Sequence, residues 1–169
     1  MIISVLIPCF NEKNTIEEIV KRINDLKDLK TEIIIIDDCS NDGTVELLKE
    51  NIKSQVSKVI FNESNFGKGY SLRKGIEAAS GDIILVQDAD LEYNPKEYYK
   101  LINPIIDGNA DVVYGSRFIG GDERRILFFW HTIANKLLTL LSNMFTNLNL
   151  TDMETCYKVF KSEIIKKID

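Results

Sequence analysis

Short apolar runs alternate with amphipathic stretches along most of this chain. The first run, residues 2–8, is continuous and ends in proline, as expected of a strand buried on both faces of a parallel sheet. Four further runs of this kind occupy residues 33–36, 59–61, 83–86 and 111–114. Apolar positions at helical spacing lie between them. This alternation predicts an α/β/α sandwich with a mainly parallel central sheet flanked by helices.

The pattern changes beyond residue 121. Residues 126–150 are largely apolar and predict one long helix or two short ones. This segment either packs against the sheet or lies at a membrane interface, and its pattern allows both on different faces. A last strand over residues 155–160 and the start of a helix over residues 162–168 follow. No apolar stretch reaches the roughly 18 residues that a membrane-spanning helix needs.

Composition and charge narrow the class of protein. The chain has 169 residues, which suits one domain, and its net charge of −5 argues against a nucleic-acid partner. The three cysteines, Cys9, Cys39 and Cys156, are too scattered for a disulfide framework or a zinc site. No basic segment precedes the first apolar run, so that run is expected to be a strand and not a signal peptide. We therefore expect reduced thiols and a cytoplasmic protein.

Acidic or polar residues follow three of the predicted strands. They are residues 8–12, the pair Asp37 and Asp38, and the segment 88–90. Because ligands of open α/β sheets bind outside the carboxyl ends of the strands, we expect these residues to share one edge. Clustered carboxylates need a positive partner, and oxygen ligands alone indicate Mg²⁺ or Mn²⁺. Such a metal commonly joins a protein carboxylate to substrate phosphates.

The segment Asp88-Ala89-Asp90 is the centre of this hypothesis. Its two acids flank one residue, so one can bind a metal while the other contacts a ribose. Glu92 adds a third oxygen ligand two residues later. Taken alone, the motif fits a solvated acidic turn equally well. Its position after a buried strand, beside two other acidic strand ends, favours a functional site.

Two cationic features are expected near the same edge. The loop over residues 67–69 lets the backbone approach a nucleotide, with Lys68 near a phosphate, although its spacing matches neither a P-loop nor a dinucleotide fingerprint. Arg117 follows the fifth strand, and its planar guanidinium suits phosphate oxygens. Arg124 and Arg125 lie in a polar loop that either binds a phosphate or lipid headgroup or is simply solvated.

Together these motifs resemble the family 2 glycosyltransferases, which have the GT-A fold. The matching segments run in order along nearly the whole chain, at residues 5–12, 34–40, 42–44, 67–69 and 88–90. Residues 115–118 and 152–160 are similar to the branch that contains the dolichyl-phosphate mannosyltransferases and the polyprenyl-phosphate glucosyltransferases.

The resemblance implies specific roles for individual residues. The implied nucleotide-sugar-binding residues are Pro8, Phe10, Glu12, Ile36, Asp38, Lys68, Asp88, Ala89 and Arg117. Asp90 and Glu92 are implied to hold the metal on the diphosphate. The residues expected to take part in catalysis are Asp90, Arg117, Asp152 and Lys158. Lys158 stands where the family often has arginine and is expected to meet the acceptor phosphate.

The implied reaction is a metal-dependent, inverting transfer of mannose or glucose from a GDP- or UDP-sugar to a polyprenyl or dolichyl phosphate. The acceptor phosphate is already ionised at pH 7, so no strong general base is needed. The protein would then act at the cytoplasmic face of a membrane. Residues 1–121 would bind the nucleotide sugar and residues 122–169 would face the acceptor. Relatives continue with further helices, so a truncated C-terminus is expected.

Two alternatives remain open at this point. A glycosyltransferase of the same fold with a hydroxyl acceptor would need a catalytic carboxylate, for which Asp152 and Glu154 are candidates. A non-catalytic module that binds a nucleotide sugar is the other alternative. Sugar transfer to polyprenyl phosphate against a hydroxyl acceptor separates these functions.

Overall fold

The computed structural model describes residues 1–118 and 128–168, and its centre is a six-stranded sheet in the order β3-β2-β1-β4-β6-β5. The strands are β1 (Ile3–Cys9), β2 (Thr31–Asp37), β3 (Lys58–Phe61), β4 (Ile83–Val86), β5 (Val112–Tyr114) and β6 (Lys158–Lys161). The pairs β1–β2, β1–β4 and β2–β3 are parallel, whereas β6 runs antiparallel to β4 and β5. The predicted, mainly parallel sheet is confirmed.

Helices connect and cover the strands. They are α1 (Ile16–Asn24), α2 (Thr44–Leu47), α3 (Lys68–Ala78), α4 (Tyr98–Ile106), α5 (Phe129–Thr146) and α6 (Ser162–Ile165). A wider turn over Leu48–Ile52 continues α2, and a 3₁₀ turn over Pro95–Glu97 leads into α4. In the described part of the predicted 126–150 segment, α5 is one continuous helix. The boundary expected between residues 121 and 122 lies outside the described residues.

The two faces of the sheet carry different helices because neighbouring side chains on a strand point to opposite faces. Val5, Ile7 and Ile35 belong to the buried cluster that contains the apolar residues of α1 and α4. Leu6 and Ile36 belong to a second cluster, formed with α3. The sheet is therefore buried between two helical layers.

Helix α3 approaches the sheet closely at a glycine. A Cβ atom built on Gly75 would lie 2.8 Å from Ile36 Cδ1 and 3.2 Å from Leu6 Cδ1. A larger residue at this position would push α3 away from β1 and β2. Gly75 therefore allows α3 to pack closely against β1 and β2.

Helix α5 has an unusual polarity, because its buried residues are polar. Asn135 and Thr139 are buried, whereas the apolar side chains of the helix are exposed. The exposed residues at helical spacing on the opposite side, which we call the apolar face of α5, are Trp130, Ile133, Leu137, Leu140, Leu141 and Met144. No helix in the described part of the chain has the length and apolar content needed to cross a membrane.

Candidate active site

The carboxyl ends of the parallel strands surround a cavity of about 190 Å³. Its lining residues are Pro8, Cys9, Phe10, Glu12, Asp38, Lys68, Ser71, Asp88, Ala89 and Asp90. All of these except Cys9 and Ser71 were predicted as site residues from the sequence. The strand-end acids thus meet in one place, because β1, β2 and β4 run parallel and end at the same edge of the sheet.

The carboxylate of Asp38, which lines this cavity, is buried and accepts several hydrogen bonds. Asp38 is only 4% exposed, and the donors are Asn62 Nδ2 at 2.8 Å and the backbone N–H groups of Phe66 and Gly67 at 3.0 and 2.7 Å. Burial raises the pKa of Asp38, but these donors and the Ser71 hydroxyl outweigh it, so the pKa lies below its ordinary value. The carboxylate therefore shapes the loop that starts α3.

Lys68, the first residue of α3, forms an ion pair with Asp88. The Lys68 ammonium donates to Asp88 Oδ1 across the cavity. Partial burial lowers the pKa of Lys68, but the hydrogen bond and the charge of Asp88 outweigh this effect, so the pKa is raised. A fixed positive charge therefore stands beside the acidic segment after β4.

Asp90 and Glu92 were predicted to hold a metal, and the structure places them differently. Asp90 lines the cavity and its Oδ1 accepts the backbone N–H of Glu92 at 2.9 Å, whereas Glu92 is exposed and does not line the cavity. Among the residues described, no group of three or more His, Cys, Asp or Glu side chains is arranged to hold a metal. The oxygen-only carboxylates of the cavity fit Mg²⁺ or Mn²⁺, which take one or two protein carboxylates and fill their remaining positions with phosphate and water.

Arg117 and Asp152 form a partly buried ion pair with two hydrogen bonds. Arg117 Nε donates to Asp152 Oδ2 at 2.7 Å and Nη2 donates to Oδ1 at 2.8 Å. The Arg117 backbone N–H and Asn135 Nδ2 also donate to this carboxylate, each at 3.1 Å. Burial raises the pKa of Asp152, but these donors outweigh it and the pKa lies below its ordinary value. Asp152 is thus an ionised anchor for Arg117, a geometry that disfavours its use as a catalytic base.

Lys158, the first residue of β6, lies opposite Val86 at the end of β4. It is the second lysine, after Lys68, near the acidic segment that follows β4. Its Nζ donates to the Thr155 carbonyl at 2.5 Å and lies 5.3 Å from the centroid of the Tyr114 ring. Burial, together with the positive charge of Lys68, lowers the pKa of Lys158. Because Lys158 is partly removed from water, its ammonium group is well suited to bind an anionic ligand.

Some predicted residues lie elsewhere. Ile36 was expected near the nucleotide base, but its side chain is buried in the core beneath α3 and does not line the cavity. Arg117, Asp152 and Lys158 do not line the cavity. The predictions for Arg124 and Arg125 fall outside the residues that the structure describes.

The cavity also contains two residues that the sequence analysis missed. Cys9 lies within the segment over residues 8–12 that was expected at this edge, but no role in the site was assigned to it. Ser71 lies within an amphipathic helix, one turn after Gly67, and accompanies Lys68 on the side of α3 that reaches the cavity. Its position one turn into the helix after a glycine loop was the available signal.

A larger, open depression of about 600 Å³ lies at the opposite edge of the sheet. Several of its charged groups already bind other parts of the protein. Lys161 pairs with Asp111 at 2.6 Å, and Lys166 Nζ donates to the Ala79 carbonyl at 2.6 Å. The cavity beside Asp88 is therefore the better candidate for an active site.

Two proteins with similar sequences are named as transferases of dolichol phosphate and undecaprenyl phosphate. The chain is 36% identical over 137 residues to the dolichol-phosphate mannosyltransferase of Pyrococcus furiosus, covering 80% of this chain and 39% of that protein. It is 29% identical over 169 residues to the undecaprenyl-phosphate 4-deoxy-4-formamido-L-arabinose transferase of Aeromonas hydrophila, covering 97% of this chain and 50% of that protein. The chain therefore spans half or less of the length of these two relatives.

Solved structures confirm the predicted GT-A fold. The glucosyl-3-phosphoglycerate synthase of Mycobacterium tuberculosis, in complex with Mn²⁺, uridine diphosphate and glucosyl-3-phosphoglycerate, matches with a TM-score of 0.73 and 26% identity. The match covers 98% of this chain and 58% of that one. The model of glycosyl transferase family 2 matches residues 4–169. The resemblance drawn from the motifs is thus confirmed, and this chain belongs to glycosyl transferase family 2.

Proposed function

We propose that this chain transfers a hexose from a nucleotide diphosphate sugar to a polyprenyl phosphate. The observation that carries the proposal is the convergence of Lys68, Asp88 and Asp90 on one cavity at the carboxyl edge of the sheet. The relatives named for transfer to dolichol phosphate and undecaprenyl phosphate support the acceptor class. The finer assignments of mannose or glucose, and of GDP or UDP, belong to the same proposal.

The donor would occupy the cavity with its diphosphate near Asp88 and Asp90. Phe10 is 45% exposed there and, with Pro8, offers an apolar surface to the nucleotide base. Bond breaking at the anomeric carbon leaves negative charge on the diphosphate oxygen, which the Lys68 ammonium is placed to stabilise. Asp90 would hold Mg²⁺ or Mn²⁺ here, and the metal would supply further charge stabilisation.

The acceptor phosphate would bind to Arg117 and Lys158. Arg117 is held by Asp152, so its guanidinium has a fixed direction, and Lys158 lies opposite Val86, the last residue of β4 before the acidic segment. An ionised phosphate oxygen attacks the anomeric carbon while the bond from that carbon to the diphosphate oxygen breaks. The attack comes from the opposite side, so the configuration inverts. No proton has to be removed from the acceptor, so the reaction needs no catalytic base. This agrees with the pairing of Asp152 with Arg117, which disfavours Asp152 as a base.

The apolar face of α5 would rest on the membrane that contains the acceptor. Its exposed side chains are large, and the polar residues Asn135 and Thr139 are turned inward, which leaves an apolar face free to lie in a lipid interface. This arrangement would place the protein peripherally on the membrane, and the cytoplasmic face expected from the sequence belongs to the same proposal. Acceptor phosphates at the lipid surface would then lie within reach of residues supplied by the C-terminal part of the chain.

Titration calorimetry with GDP and UDP, with and without Mn²⁺, is the first test of the proposal. We expect one nucleotide to bind more tightly when the metal is present. Transfer of radiolabelled sugar is then measured to polyprenyl phosphate and to a hydroxyl acceptor. Binding of neither nucleotide in a metal-dependent manner would overturn the proposal. Transfer only to the hydroxyl acceptor, or binding without transfer, would favour one of the two alternatives.

A further inference from the structure

We propose that Gln87, Tyr98 and Tyr157 are positioning residues that hold the backbone of Asp88 and thereby aim the carboxylates of the 88–90 segment at the donor. This inference rests on the proposed function. None of the three residues lines the cavity, and each would act through the conformation of Asp88 and Asp90.

Gln87 is the first residue after β4 and is fully buried. Its Nε2 donates to the carbonyl of Asp88 at 2.9 Å. Its Oε1 accepts from the hydroxyl of Tyr98 at 2.9 Å and from the hydroxyl of Tyr157 at 3.1 Å. Because both hydroxyls donate to the oxygen, the amide can present only its NH₂ group to Asp88.

The other backbone group of Asp88 is held as well. Its N–H donates to Cys156 Sγ at 3.1 Å, and the Cys156 backbone N–H donates to the Tyr93 hydroxyl at 3.3 Å. Asp88 lies beyond the end of β4, where the strand ladder no longer supplies partners. Buried side chains therefore supply the hydrogen bonds that neighbouring strands supply within the sheet. Both the N–H and the carbonyl of Asp88 are held in this way.

The network joins the start of α4 and the residue before β6 to the acidic segment after β4. Tyr98 is the first residue of α4, and Tyr157 immediately precedes β6, which begins at Lys158. The rings of Tyr98 and Tyr157 also meet edge to face, with centroids 5.8 Å apart. A satisfied buried network of this kind is rigid, because each lost partner leaves a polar group desolvated and unpaired. Gln87 thus connects the segment proposed to bind the donor, residues 88–90, with Tyr157, the neighbour of the proposed acceptor residue Lys158.

Three variants test the inference. The first is the double variant Tyr98→Phe/Tyr157→Phe, which leaves Gln87 without its two donors. The second adds Gln87→Met, which removes the unpaired amide oxygen and so recovers part of the lost stability, while the Asp88 carbonyl loses its donor. The third, Tyr99→Phe, removes a hydroxyl one residue along α4 that takes no part in the hydrogen bonds to Gln87.

Two readouts are needed, and one of them requires neither metal nor activity. Amide hydrogen exchange by NMR in the free protein should be faster at Asp88, whose N–H donates to Cys156 Sγ, in the first two variants. Calorimetry of the nucleotide that wild type binds in the presence of Mn²⁺ should show affinity reduced about tenfold or more. The triple variant should show both effects even though its thermal midpoint partly recovers, and Tyr99→Phe should show neither.

The outcomes separate the two proposals. If wild type binds no nucleotide with Mn²⁺, the proposed function is overturned, and this inference with it. If wild type binds, and the triple variant matches wild type in both affinity and amide exchange, only the positioning role is overturned. Affinity that simply follows thermal stability across the variants would also overturn it, because a purely structural role predicts that pattern.

Discussion

The guanidinium of Arg117 and the carboxylate of Asp152 face each other through two parallel hydrogen bonds, of 2.7 and 2.8 Å. The Asp152 side chain is 0% exposed, whereas that of Arg117 is 30% exposed. One end of the pair is therefore sealed in the protein while the other reaches the solvent. This asymmetry lets Asp152 hold Arg117 in place while part of the guanidinium stays open to an anion.

Removing the anchor should destabilise the fold. We expect Asp152→Ala to lower the free energy of unfolding by about 3 kcal/mol, because it leaves a partly buried guanidinium without its partner. Urea unfolding followed by circular dichroism measures the change. Asp111→Asn, which breaks the exposed pair with Lys161, is the matched control and should have little effect. Equal unfolding midpoints for the two variants would contradict the prediction.

The same ion pair should make stability depend on acidic pH. Because the folded pKa of Asp152 lies below its ordinary value of 3.8, its stabilisation is fully present above that value. It is lost as pH falls through the lower folded pKa. The difference in unfolding free energy between wild type and Asp152→Asn should therefore shrink on acidification. A difference that stayed constant with pH would show that the carboxylate charge contributes nothing.

Asp90 should carry the metal dependence of donor binding. We expect Asp90→Ala to abolish the gain in nucleotide affinity that Mn²⁺ produces in wild type, since Asp90 is the predicted metal ligand that lines the cavity. Calorimetry with and without Mn²⁺ measures this gain. Asp107→Asn changes an exposed acid just after α4 and should keep the wild-type response. Retention of the metal effect in Asp90→Ala would rule out this role.

Lys158 should limit the use of the acceptor at alkaline pH. Burial and Lys68 lower its pKa, so its ammonium loses the proton at a lower pH than an ordinary lysine. The kcat/KM for polyprenyl phosphate should therefore decline as pH rises, and Lys158→Arg should move this decline to higher pH, because arginine stays charged. Lys161→Arg, at the other end of β6, should leave the profile unchanged. Identical profiles for wild type and Lys158→Arg would exclude Lys158 as the titrating cation.

The apolar face of α5 should drive binding to lipid. We expect Leu137→Ser/Leu140→Ser to weaken binding to phosphatidylcholine and phosphatidylglycerol vesicles about tenfold or more, since each leucine loses its transfer from water to lipid. Both side chains are exposed, so the thermal midpoint should hardly move. Ile106→Ser, an exposed apolar residue at the end of α4, is the control for vesicle co-sedimentation. Undiminished sedimentation of the leucine variant would contradict the membrane role.

The sequence by itself determined the sheet and the location of the site. Apolar runs such as that of β2 predict buried parallel strands, because only residues in contact with two helical layers can be apolar at every position. Once the strands are parallel, whatever follows them must meet at one edge, so Asp38, Asp88 and Asp90 were predicted to lie together. Both conclusions depend on local patterns that a single chain displays.

Only the tertiary structure decided which partner each polar group takes. The pairing of Arg117 with Asp152, the inward turn of Asn135 and the grip of Tyr98 and Tyr157 on Gln87 all join segments that are distant along the chain. The insertion of β6, antiparallel, between β4 and β5 is another example. Periodicity reports which face of an element is apolar, but a hydrogen bond between two elements depends on how they pack, which no local pattern contains.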